Sequence, residues 1–112
     1  MWVTLVVPEG SGRIDLVIGV DVSGSVQRER MPEALQFLAD VVEDLEISAD
    51  KTRVALVYFS DDAYQLFDFT QFDHKQDIIY WIKTTPYIGG RTNSAAALQL
   101  MVKYLHITAC AL

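Results

Sequence analysis

The sequence predicts an α/β domain in which a mostly parallel sheet is covered by helices on both faces, giving three layers. Residues 14–20 and 53–59 are nearly continuous apolar runs rich in β-branched side chains, which is typical of strands buried on both faces. Segments with apolar residues three and four positions apart alternate with these runs, as helices do between strands of such a sheet. The length of 112 residues suits one domain.

The first predicted strand, residues 14–20, ends at a turn of small, oxygen-bearing residues, Asp-Val-Ser-Gly-Ser at 21–25. In an open α/β sheet, ligands bind beyond the carboxyl ends of the strands. The carboxylate of Asp21 and the hydroxyls of Ser23 and Ser25 could therefore converge on a hard cation such as Mg²⁺, which prefers oxygen donors. The alternative is purely local: Asp21 forms an Asx-turn, and Ser23 or Ser25 caps the helix that follows.

The first helix is predicted over residues 31–45, and the second strand over residues 53–59. Pro32 suits the first turn of a helix, where its missing N–H has no intrahelical partner to lose. The helix has apolar residues at helical spacing: Met31, Ala34, Leu35, Leu38, Val41, Val42 and Leu45. A helix between two apolar strands is the pattern of a parallel crossover.

A third strand is predicted over residues 64–69, where apolar and polar side chains alternate. The short link at 60–63 favours an antiparallel hairpin with the second strand. Gln65 and Asp68 among the aromatic residues place the third strand at the sheet edge. The adjacent carboxylates at positions 61 and 62 are interpreted as turn residues rather than metal ligands.

Two more helices follow the hairpin. Asp73 and Gln76 resemble a capping box and predict a second helix over 74–83, which ends before Pro86. Apolar residues at helical spacing predict a third helix over 95–105. The loop between them contains Gly-Gly at 89–90, which allows a close approach of the backbone, and then Thr92 and Asn93, either of which could cap the third helix.

Composition narrows the classes of partner. The net charge is −6 with both signs well mixed, so no basic patch is available to hold a nucleic acid backbone. No run reaches the eighteen or so apolar residues of a membrane span. We interpret residues 1–12 as a flexible lead-in to a domain over 13–112, without a convincing signal peptide because no Lys or Arg precedes the apolar stretch. Cys110 is the single cysteine, which excludes an internal disulfide.

Three motifs occur in order along the chain: Asp-x-Ser-x-Ser at 21–25, the segment DKTRVALVYFS at 50–60, and YIGGRTN at 87–93. Together they resemble a von Willebrand factor type A domain of the kind found in matrix collagens and matrilins. The resemblance covers about residues 13–105. It implies a Rossmann-like three-layer sandwich of which this chain would form the N-terminal half, with strands one to three and three helices.

The resemblance also implies a metal-ion-dependent adhesion site. Asp21, Ser23 and Ser25 would form its first ligand loop and Thr92 its second, with Mg²⁺ or Mn²⁺ as the ion. In that family the hydroxyls usually touch the metal, aspartates act through water, and a Glu or Asp of a partner protein completes the coordination shell. The implied function is extracellular, secreted and non-enzymatic: adhesion to a matrix protein such as collagen or to a cell-surface protein. We interpret Tyr87 and Arg91 as residues of a solvated loop, and the alternative is that they line that surface.

The sequence also departs from the family pattern. Family members continue into a fourth strand that ends in a Thr-Asp-Gly-like third ligand loop, whereas no aspartate follows Thr92 here. We therefore expect a fragment or truncated product with weakened metal affinity and with its central strand left as an unpaired apolar edge. The alternative function is a metal-free domain that acts only as a structural or self-association unit through this edge.

Two enzymatic alternatives have weaker support. Phosphoryl transfer with Asp21 as nucleophile would require further acids to hold magnesium, and Val22 and Ser23 follow it instead. A dinucleotide site would require a G-x-G-x-x-G run, whereas this turn contains only Gly24. His74 and His106 are interpreted as solvated side chains.

Overall fold

The structure is a computed structural model that describes residues 2–8, 14–24, 28–48, 50–72 and 74–111, with side chains described between residues 14 and 103. Its sheet has four strands in the order β1-β2-β3-β4. Strand β2 runs parallel to β3, while the two outer pairs, β1 with β2 and β3 with β4, are antiparallel. The strand bounds are β1 Trp2–Pro8, β2 Ile14–Asp21, β3 Thr52–Phe59 and β4 Ala63–Phe67.

Helices cover both faces of the sheet. A 3₁₀ turn at Arg28–Arg30 leads into α1, Met31–Glu43, which packs with α2, Lys75–Lys83, on one face. Helix α3, Ser94–Ala111, packs against the other face. The α/β three-layer prediction is therefore confirmed, with all three predicted strands and all three predicted helices present.

The central strands divide their side chains between two cores. On β2, the even-numbered residues Leu16, Ile18 and Val20 pack with α1 and α2, whereas Val17 packs with Met101 of α3. This alternation follows from the period of two in a strand. It explains why the run at 14–20 is apolar on both faces.

Asp15 is the polar exception in this run, and it is completely buried. The guanidinium of Arg53, its register partner on β3, donates from Nε to Oδ1 at 2.8 Å and from Nη2 to Oδ2 at 2.6 Å. The same guanidinium lies 5.1 Å from the ring centroid of Phe69. A bidentate, charge-assisted pair of this kind offsets the desolvation of a buried carboxylate.

The lead-in prediction for residues 1–12 is wrong for residues 2–8, because these form β1. This strand pairs along the whole of β2, from Trp2 opposite Val20 to Pro8 opposite Ile14. Residues 9–13 lie outside the described residues. Because β2 has β1 on one side and β3 on the other, the predicted unpaired edge at the central strand is also wrong, and the self-association inferred from it loses its basis.

The helix bounds differ from the predictions only near their ends. Helix α1 ends at Glu43, two residues early, and α2 begins at Lys75. The proposed capping residue Asp73 lies outside the part of the chain that the structure describes. Helix α3 continues to Ala111, so residues 107–111 extend a helix. Within the described residues, no helix combines the length and hydrophobicity that a membrane crossing requires.

Candidate metal centre

The first loop of the predicted site begins where β2 ends. The backbone N–H of Ser23 donates to Oδ1 of Asp21 at 2.9 Å, and the Ser23 hydroxyl donates to the same oxygen at 2.5 Å. Asp21 is 7% exposed and Ser23 is fully buried. The Asx-turn that was the local alternative is thus present, and it holds the Ser23 hydroxyl beside the carboxylate. Ser25 lies outside the described residues.

The second loop brings Thr92 to the same place. Oγ1 of Thr92 lies 2.6 Å from Oγ of Ser23, although the two residues are 69 positions apart in sequence. The Thr92 side chain is exposed. The structure therefore gathers the oxygens of Asp21, Ser23 and Thr92 at the carboxyl end of β2, with a buried base and an open outer side.

Backbone hydrogen bonds join the two loops. The N–H of Gly24 donates to the carbonyl of Gly90 at 2.9 Å, and the N–H groups of Ile88 and Gly89 donate to the carbonyl of Val22 at 3.2 and 2.8 Å. Gly89 and Gly90 have φ values of +81° and +78°, a region that favours glycine. A Cβ on Gly24 would lie 3.2 Å from the Gly90 carbonyl oxygen, so this close approach also depends on glycine.

Asn93 caps α3, which resolves the choice between the two candidate caps. Its Oδ1 accepts a hydrogen bond from the N–H of Ala96 at 3.0 Å, and its carbonyl accepts one from Ala97 at 3.3 Å. This is the usual role of an N-cap side chain. The hydroxyl of Thr92 instead faces Ser23.

The turn between β3 and β4 also contacts the second loop, which the sequence did not predict. Oδ1 of Asp61 accepts a hydrogen bond from the N–H of Arg91 at 2.9 Å, and the Asp61 carbonyl accepts one from Nδ2 of Asn93 at 3.0 Å. The carbonyl of Ser60 accepts a hydrogen bond from the N–H of Asn93 at 2.7 Å. No local pattern could have predicted these contacts, because Asp61 and Arg91 are 30 positions apart.

An open depression of about 680 Å³ adjoins Thr92 and is lined by Asp61 and residues 91–95. The exposed Arg91 is part of this lining. Tyr87 is half-buried, and the guanidinium of Arg28 lies 4.9 Å from its ring centroid. Tyr87 therefore lies beside the start of α1 rather than in this depression.

The donor set suits a hard divalent cation better than a soft one. Within the described residues, no three His, Cys, Asp or Glu side chains are close enough to form a conventional metal cluster. Asp21 instead offers a single carboxylate beside two neutral hydroxyls. Adjacent oxygen ligands of an octahedral Mg²⁺ lie about 3.0 Å apart, given Mg–O distances of about 2.1 Å. The Ser23 and Thr92 hydroxyl oxygens are 2.6 Å apart, which is the distance of a hydrogen bond, so both would have to separate by a few tenths of an ångström to bind one ion.

Comparison with known proteins places the chain in one family. The sequence model of the von Willebrand factor type A domain matches residues 15–109. The transmembrane cell adhesion receptor mua-3 of Caenorhabditis elegans is 37% identical over 92 residues, 81% of this chain and 2% of the receptor. Matrilin-1 of Gallus gallus is 36% identical over 83% of this chain and 19% of its own length. Collagen alpha-4(VI) of Mus musculus is 32% identical over 78% of this chain, which is 4% of the collagen chain. The chain thus spans a small part of each relative.

Solved structures show the same fold. Proximal thread matrix protein 1 from the mussel byssus, in a form with a zinc-occupied metal-ion-dependent adhesion motif, superposes with a TM-score of 0.69 at 27% identity, over 86% of this chain and 26% of that one. The manganese-loaded TRAP protein of Plasmodium vivax superposes with a TM-score of 0.77 at 21% identity, over 97% of this chain and 44% of that one. With the family match and the relatives above 30% identity, these similarities show that the chain belongs to the von Willebrand factor type A domain family.

Proposed function

We propose that this domain is an adhesion module that uses a divalent cation to bind an acidic side chain of a matrix or cell-surface protein. The observation that carries the proposal is the 2.6 Å contact between the hydroxyls of Ser23 and Thr92, next to the carboxylate of Asp21. Two loops that are distant in sequence thereby present oxygen ligands at one point. A purely structural turn at Asp21 would not require the Thr92 hydroxyl.

The proposed ligands are Asp21, Ser23 and Thr92, joined by Ser25 through the family resemblance, and the proposed ion is Mg²⁺ or Mn²⁺. Bound there, the ion would supply an electrophilic centre, because one carboxylate compensates only part of its double charge. The exposed position of Thr92 leaves the outer side of the site accessible to a partner. A glutamate or aspartate of that partner is the natural oxygen donor for the open position.

The relatives support an extracellular setting and a matrix partner such as collagen. By name they include a cell adhesion receptor, a matrilin and a collagen, and one structural neighbour carries zinc in its adhesion motif. The proposal is non-enzymatic, because Val22 and Ser23 follow Asp21 where phosphoryl transfer would need further acids to hold a metal. Self-association through an open edge of β2 is not favoured, since β2 is paired on both sides.

Calorimetric titration with MgCl₂ and MnCl₂ tests the metal step. We expect the wild type to bind one ion and to melt at a higher temperature when the ion is present, because a ligand that binds only the folded state stabilises it. Asp21→Ala should abolish both effects. Asp50→Ala is the matched control, since Asp50 is an exposed aspartate near the start of β3, at the opposite end of the sheet from Asp21.

Binding to immobilised matrix protein tests the partner step. Adhesion of the wild type to collagen should be lost on adding EDTA and restored by Mn²⁺, and Asp21→Ala should not adhere under either condition. Adhesion by Asp21→Ala equal to that of the wild type would contradict a metal-bridged contact. Titrations without heat and melting curves unmoved by either ion in the wild type would overturn the proposed function itself.

A further inference from the structure

We infer that Asp61 is a positioning residue for the metal centre, because its carboxylate holds the loop that presents Thr92. The inference rests on the proposed function, and it adds a residue outside both ligand loops. Asp61 lies in the short turn between β3 and β4, at the same end of the sheet as Asp21. It would act through the backbone of the second loop and would not itself touch the ion.

The contacts bracket Thr92 on both sides. The residue before it, Arg91, donates its N–H to Oδ1 of Asp61, and the residue after it, Asn93, donates its side-chain amide to the Asp61 carbonyl and its N–H to the carbonyl of Ser60. Residues 85–93 have no helix or strand of their own. Outside contacts must therefore fix the direction of the Thr92 hydroxyl, and the turn at 60–61 supplies three of them.

The missing side chain of Gly90 leaves room for the Asp61 carboxylate. A Cβ built on Gly90 would lie 3.2 Å from Oδ2 and 3.4 Å from Oδ1 of Asp61, so the aspartate occupies the space next to a missing side chain. The φ of +78° at Gly90 lets the chain turn at that point. On its other side, the carbonyl of Gly90 accepts the hydrogen bond from Gly24 of the first loop. The hydrogen bond between the Asp61 carboxylate and the Arg91 N–H thus lies next to the junction of the two ligand loops.

The Asp61 side chain is not needed to close its own hairpin. That turn is closed by backbone groups, with the N–H of Ser60 donating to the carbonyl of Asp62 at 2.9 Å. Within the described part of the chain, the hydrogen bond of the Asp61 carboxylate goes to Arg91, thirty positions away. Asp62 is also an exposed carboxylate in the same turn. Its side chain makes no such contact with the second loop among the described residues, so it provides a matched control.

Loss of the hydrogen bond between the Asp61 carboxylate and Arg91 should weaken metal binding without removing a metal ligand. Partners that orient metal ligands from outside the coordination shell typically change affinity by about 10- to 100-fold when they are removed. Asp61→Ala should therefore raise the Kd for Mn²⁺ by at least about 10-fold. Asp61→Asn keeps a carbonyl oxygen in the place of Oδ1, so it should stay within a few-fold of the wild type. Asp62→Ala should match the wild type.

The test is a calorimetric Mn²⁺ titration of the wild type and these three variants, with melting curves of the metal-free proteins and amide exchange at Arg91 by NMR. Faster exchange at Arg91 in metal-free Asp61→Ala, weaker binding by that variant and rescue by Asp61→Asn are the expected results. If Asp61→Ala does not fold, Asp61→Ser is used instead. Serine keeps a polar side chain in the turn, but its hydroxyl is one bond shorter than the carboxylate and should not reach the Arg91 N–H.

The outcomes test the positioning role of Asp61 and the proposed function separately. Binding by Asp61→Ala that equals the wild type overturns the positioning role while leaving the proposed function intact. An Asp61→Asn variant as weak as Asp61→Ala also overturns it, since the charge of Asp61 rather than its hydrogen bond would then be responsible. A wild type that binds no Mn²⁺ refutes the proposed function, and the positioning role with it.

Discussion

Gly90→Ala is predicted to destabilise the domain by more than the same change at its neighbour Gly89. Both residues have positive φ, +78° and +81°, so each alanine incurs the strain of a left-handed backbone, about 1–2 kcal/mol. Only at Gly90 does the new Cβ also meet Asp61, at 3.2 Å from Oδ2. At Gly89 the nearest atom is in the Tyr87 ring at 3.8 Å, which is an ordinary contact.

The additional cost at Gly90 comes from displacing the Asp61 carboxylate. That carboxylate accepts the hydrogen bond from the Arg91 N–H, and a typical intramolecular hydrogen bond contributes about 0.5–1.5 kcal/mol to stability. We therefore expect Gly89→Ala to lose about 1–2 kcal/mol and Gly90→Ala about 1.5–3.5 kcal/mol of the free energy of unfolding. Against a total of about 5–15 kcal/mol for a domain, both losses are measurable.

Urea denaturation followed by far-ultraviolet circular dichroism measures these losses. The slope for small domains is about 1–3 kcal/mol per molar urea, so the midpoints of the two variants should differ by several tenths of a molar. In an Asp61→Ala background the two glycine substitutions should have equal effects, because the atom that Gly90→Ala displaces is gone. Equal losses in the wild-type background would refute the argument that Asp61 occupies the space beside Gly90.

Two further changes test the site and the core. Thr92→Val removes the hydroxyl beside Ser23 but keeps the side-chain shape, so we expect at least a 10-fold weaker Mg²⁺ affinity by calorimetry. The lost hydrogen bond should lower the free energy of unfolding by only about 0.5–1.5 kcal/mol. Unaltered affinity would exclude Thr92 as a ligand. Arg53→Met removes both charge-assisted hydrogen bonds to the buried Asp15 and should cost about 3 kcal/mol, the lower end for a broken buried pair because Arg53 is 19% exposed; an unchanged urea midpoint would contradict this.

Features that depend on neighbouring residues could be predicted from the sequence, whereas contacts between distant segments could not. Residues 14–20 and 53–59 could be predicted as strands because their apolar runs reflect burial on both faces, and helix α1 could be predicted from its apolar spacing. The place of Asp21 at the end of a strand followed from the same pattern. That Thr92 belongs with it came from the family resemblance, since no local pattern links residues 69 positions apart.

The apolar run at 2–8 was visible in the sequence, but its pairing was not. The residues of a strand carry no local signal for the strand that it will pair with, and Pro-Glu-Gly-Ser-Gly at 8–12 is also typical of a linker. Its pairing with β2 depends on which edge of the sheet is open, and that is a property of the assembled sheet. The prediction of an unpaired central strand failed for this reason.

The sequence by itself determined the strands β2 and β3, the helices and the oxygen-rich turn at Asp21, because side-chain periodicity and turn chemistry act over a few residues. Only the tertiary structure decided that β1 covers the free side of β2, that Asn93 rather than Thr92 caps α3, and that Asp61 holds the second loop. Each of these outcomes depends on a choice among alternative partners, and that choice is made when the sheet brings separate segments to one edge.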